Sequence, residues 1–67
     1  MYQNLIDLMK EKNVTQSDLA KYLNKRNATI SDKIRGIFPF TLNEAKMIRD
    51  NFFPETDIDH LFDKTED

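Results

Sequence analysis

Cysteine is absent from this chain, so neither a disulfide framework nor a thiolate metal site can staple the fold. Glycine occurs once and proline twice, too few turn-formers for an all-β chain. No apolar run approaches the roughly 18 residues of a membrane helix. The stretch Met1–Lys12 intersperses charges where a signal peptide would carry an unbroken apolar segment. Glycine-rich phosphate loops, Ser/His/Asp sets and clustered metal ligands are missing, and His60 is the lone histidine. A chain of 67 residues has little capacity to enclose a substrate pocket. These absences argue against an enzyme, a cofactor or a metal site. They predict a small soluble domain in the cytoplasm, held together by helix packing.

The charge is scarce in one place and concentrated in another. The net charge is −2, unhelpful for a nucleic-acid binder if spread evenly. Residues 21–35, however, carry Lys21, Lys25, Arg26, Lys33 and Arg35 against Asp32 alone, a local balance of +4. Residues 36–67 carry three cations and eight anions, a balance of −5. A localised basic segment neutralises phosphates whatever the sign of the remainder. It serves equally as the solvated face of an ordinary helix, and charge alone leaves both readings open.

Apolar spacing predicts five short helices. Tyr2, Leu5, Ile6 and Met9 recur at i, i+3, i+4 and i+7, one face of a helix over about 2–12. Thr15 with Asp18 three residues on reads as the start of a second helix, about 16–23, with Leu19, Ala20, Tyr22 and Leu23 inward. Asn24 suits a left-handed helix end. Asn27 is the best local cap for a third helix, about 28–35, which Gly36 ends. Thr41-Leu-Asn-Glu44 is a full capping box for a fourth helix, about 42–52, with Leu42, Ala45, Ile48 and Phe52 inward. Thr56 or Asp57 would cap a last short helix holding Ile58, Leu61 and Phe62. The expected organisation is one domain over 1–62 and a polar, acidic tail over 63–67.

The third helix is amphipathic in an informative way. With Ile30 at zero and about 100° per residue, Ile34 falls at roughly 40° and Ala28, Asp32 and Arg35 at roughly 140–200°. Thr29 and Ser31 flank that outward side. Small and polar residues let a helix axis approach base edges, while cations at the helix ends meet phosphates. Ala20 would let the second and third helices cross closely.

Gln16-Ser-Asp-Leu-Ala20, then Asn24, Ile30 and Ile34-Arg-Gly36, resembles the helix-turn-helix of the lambda-repressor-like family of Cro and repressor proteins. Phe40-Thr-Leu-Asn-Glu-Ala45 and Asp57-Ile-Asp-His-Leu-Phe62 are similar to the fourth and closing helices of small regulators from phages of Gram-positive hosts. The resemblance spans about residues 2–62. It implies an all-α fold of five helices with a helix-turn-helix at the second and third. It also implies a transcriptional regulator in a bacterial host cell, binding a two-fold duplex-DNA operator as a homodimer. Base edges would be faced by Asn27, Ala28, Thr29 and Asp32. Phosphates would be met by Gln16, Lys25, Arg26, Lys33 and Arg35. Lys25 and Arg26 depart from the family pattern, which favours an aliphatic residue and then Ser or Thr.

Plainer roles compete for several of these residues. Gln16 suits any helix start and Asn27 any cap, Lys21 reads as solvated, and Lys33 fits either role. The acidic residues Asp50, Glu55, Asp57, Asp59 and Asp63 read as a solubilising surface, without the spacing of a calcium loop. Asp32 is the awkward residue, either accepting from a cytosine amino group or steadying Arg35. Phe53 falls out of phase beside Phe52 and is expected outside, forming with Ile37-Phe-Pro-Phe40 an apolar surface for a dimer. Two rival functions use the same fold: a protein-interaction module of the anti-repressor kind working through its acidic half, and an antitoxin that also binds its own operator.

Overall fold

A computed structural model describes residues 1–63. It is all-helical: α1 (Gln3–Glu11), α2 (Gln16–Leu23), α3 (Asn27–Arg35), α4 (Leu42–Phe52) and α5 (Ile58–Leu61), with no strand among the described residues. The acidic tail expected over 63–67 lies, beyond Asp63, outside the described residues. No helix among the described residues is long and apolar enough to cross a membrane.

One device ends the first three helices. Asn13, Asn24 and Gly36 take positive φ values of 56°, 57° and 88°. At each, two amides reach back to otherwise orphaned carbonyls. After α3, for example, the Ile37 N–H donates to the Asp32 carbonyl at 2.9 Å and the Gly36 N–H to that of Lys33 at 3.1 Å. A β-carbon on Gly36 would meet the Met1 backbone nitrogen at 3.1 Å. The N-terminal segment is held there because the Tyr2 N–H donates to the Ile34 carbonyl at 3.1 Å.

Each helix sends one fully buried aliphatic residue to a shared centre: Leu5, Leu19, Ile30, Ile48 and Leu61, joined by Phe53. Beside this core the rings of Tyr2, Phe40 and Phe62 contact one another, with centroids 5.3–5.8 Å apart. Burial at about 25 cal/mol per Å² makes these side chains the main source of stability in so small a domain.

Several expectations need correction. Phe53 is completely buried, because the chain leaves helical geometry there (φ −135°, ψ 55°) and the helical phase that put it outside no longer applies. Leu42 is 69% exposed. As the first residue of α4 it sits roughly 120° round from Ile48 at about 100° per residue, off the buried side. Tyr22 is also exposed, its ring edge-on to Phe52 at 5.4 Å. Asp57 occupies the N-cap of α5 but makes no side-chain cap bond. Helix α3 begins at Asn27 with Arg26 as N-cap, so Asn27 is its first turn and not its cap.

Candidate functional site

The basic segment falls on the α2–α3 pair, whose two N-terminal ends are tied together. The start of α2 is fixed by a complete capping box: the Thr15 hydroxyl accepts from the Asp18 N–H at 3.1 Å, and the Asp18 carboxylate from the Thr15 N–H at 2.9 Å. The bond from the Thr15 N–H first, and the Thr15 side chain second, hold the Asp18 carboxyl below its ordinary value. One residue into α2, Gln16 Nε2 donates to the Asn27 carbonyl at 3.0 Å. The expected phosphate ligand Gln16 therefore acts as a strut between the two helices, with its amide oxygen still available.

Helix α3 starts differently. Arg26 gives no side-chain cap bond, so the first amides of α3 have no such acceptor. Lys25, Arg26, Asn27 and Ala28 are all exposed around this end, and Thr29 and Asp32 are half-buried. Arg35 is exposed in the last turn, while Ile30 and Ile34 anchor the opposite side in the core. The four expected base-facing residues, Asn27, Ala28, Thr29 and Asp32, thus share one helix with its two isoleucines inward. Among the described residues the ion pairs are Lys33–Glu44 and Arg49–Asp50. Asp32 makes none with Arg35, which removes the steadying role as an account of its position.

Lys33 does not join the exposed cations. Its Nζ lies 2.5 Å from Glu44 Oε1, both side chains about nine-tenths buried (12% and 10% exposed), and 5.9 Å from the Phe40 ring centroid. It is turned toward α4, away from the phosphate role expected of it. Glu44 also closes the second capping box: its Oε1 accepts from the Thr41 N–H at 2.9 Å, and its own N–H donates to Thr41 Oγ1 at 3.1 Å. Burial pushes the Glu44 carboxyl up, but the Lys33 ammonium and the Thr41 N–H together hold it below its ordinary value. The capping box was readable from the sequence. The bond to Lys33, made across the 36–41 loop, carried no local signal.

Elsewhere the surface offers little chemistry. A groove of about 500 Å³ between α1 and the start of α2 has Ile6, Met9, Val14 and Ile34 on its walls. Another, of about 570 Å³, is walled by Tyr2, Phe40, Leu42, Ala45, Ile58 and Phe62, with Asp59 and Asp63 also lining it. No group of three or more His, Cys, Asp or Glu among the described residues is arranged to hold a metal ion. Met1, Ile37, Phe38 and Leu42 are each exposed apolar side chains. No family model, curated protein or solved structure matches the chain.

Proposed function

We propose that this domain is a sequence-specific duplex-DNA-binding transcriptional regulator of the lambda-repressor-like, Cro or repressor type. In this reading α2, the Asn24–Arg26 turn and α3 form a helix-turn-helix, and α3 enters the major groove. The observation that carries it is the build of α3: isoleucines buried on one side, small and polar residues on the other, and an uncapped N-terminus among exposed cations. Free amides at a helix N-terminus together with Lys25 and Arg26 suit a phosphate, and Arg35 suits a second one at the far end. Asn27, Ala28, Thr29 and Asp32 face the bases. Selection of bound duplexes from a random library tests this reading. A two-fold enriched motif supports it, and no enrichment at low salt defeats it.

A second copy is the natural partner on a two-fold operator. Residues 36–43, Gly-Ile-Phe-Pro-Phe-Thr-Leu-Asn, carry no charge, so two copies can meet there without the repulsion that the acidic α5 side would impose. Ile37, Phe38 and Leu42 are each more than half exposed (55%, 56% and 69%) and supply the apolar contact. Sedimentation at rising concentration should show self-association that Phe38→Ser weakens. A strict monomer on and off DNA removes the dimer.

A further inference from the structure

We infer that Glu44 is a positioning residue that withholds Lys33 from DNA phosphates, and so limits affinity for random sequence; this inference rests on the DNA-binding reading. Three observations carry it. Lys33 belongs to the proposed recognition helix, in its last turn, and is the cation of that helix that is not exposed. The carboxylate that holds it has a second tie: Glu44 is buried, and its Oε1 also accepts the Thr41 N–H as part of the α4 capping box. Lys33 can therefore turn outward only by leaving a buried carboxylate short of its cation, which disfavours the move. Arg35, two residues on, has no such partner among the described ion pairs and stays exposed.

Phosphate contacts raise affinity for every sequence alike, whereas base contacts distinguish sequences. Removing one available cation from α3 thus lowers binding to random duplex while leaving the base-facing side intact. The same bond links the last turn of α3 to the start of α4.

Salt titrations of binding to a random-sequence duplex test the inference. Glu44→Gln keeps a side chain able to complete the capping box but removes the charge that holds Lys33. Its slope of log K against log salt should be steeper than wild type by about 0.9, the increment for one more phosphate neutralised. Glu44→Gln combined with Lys33→Ala should return the slope to the wild-type value, and because that pair also restores the net charge, the arm that separates Lys33 from a general charge effect is the single Lys33→Ala variant. Lys33→Ala alone should leave the slope unchanged, and this arm remains informative if Glu44→Gln fails to fold. A wild type that binds DNA while Glu44→Gln keeps its slope, or a Lys33→Ala slope shallower by about 0.9, overturns this inference alone. A wild type without salt-dependent affinity overturns it together with the DNA-binding reading.

Discussion

Helices α3 and α4 are neighbours in the chain, and both begin after a residue in extended geometry, Arg26 and Thr41. Their first turns are otherwise opposite. Helix α4 satisfies its own start: Thr41 and Glu44 exchange two bonds, and Glu44 and Ala45 are buried although Thr41, Leu42 and Asn43 are exposed. Helix α3 opens toward solvent, with no side-chain cap and with Lys25, Arg26, Asn27 and Ala28 exposed. The contrast separates two uses of the same element. A capped helix start satisfies its own free amides, since unsatisfied donors reduce stability. A helix that leaves them free, among cations, has something to offer an outside acceptor.

The sharpest way to break the comparison is to remove the core on which both helices rest. Phe53→Ala should destabilise the domain by about 3–5 kcal/mol, the range for a large aromatic lost from a core. Urea unfolding followed by circular dichroism measures it. A loss below about 1 kcal/mol, the scale of ordinary substitutions, would mean that Phe53 is not at the centre. Gly36→Ala comes next, at about 1–2 kcal/mol, because an L residue is strained at positive φ. The added methyl also meets the Met1 nitrogen. An unchanged urea midpoint would contradict the left-handed end of α3.

Acidity separates the two helices directly. The Glu44 carboxyl lies below its ordinary value in the fold. Its contribution is therefore complete above the unfolded value of about 4.3 and is lost as the pH falls through the lower folded value. Wild type should lose stability over that acidic window, and Glu44→Gln should lose less of it. Equal acid sensitivity in the two proteins would show that the bond to Lys33 does not persist in solution. The smallest effect on the fold belongs to α3. Arg35→Ala should leave the unfolding midpoint within about 0.5 kcal/mol of wild type, yet make the salt dependence of duplex binding shallower by about 0.9. A midpoint shift with no change in slope would reverse the roles assigned to the two helices.

Much of the fold was legible because it is written locally. Thr15 with Asp18, Thr41 with Glu44, and the left-handed ends at Asn24 and Gly36 are each contained within a few residues, and each stands as read. The misreadings share a different cause. Phe53 and Leu42 sit at helix ends, where periodicity ceases to report direction. Asn27 has a residue type that suits a cap, although Arg26 holds the position. In the candidate site, the exposed cations Lys25, Arg26 and Arg35 were readable from the charge pattern. Lys33 was not, since its partner lies beyond a loop and only the packed chain brings the two together. The link from Gln16 to the Asn27 carbonyl escaped for the same reason: a backbone acceptor leaves no mark in the sequence.

The seating of the N-terminus against the end of α3 has a practical consequence. Tyr2 is bonded to the Ile34 carbonyl, and Met1 stands over Gly36. An affinity tag or fluorescent protein fused ahead of Met1 would therefore emerge beside Arg35 and the Ile37-Phe38 loop. It would crowd the proposed phosphate contact and the proposed self-association surface at once, and weakened binding in such a fusion would mimic a defective variant. Reporter dyes belong instead on α4, where Lys46 and Asn51 are exposed, with purification handles cleaved before any affinity is measured.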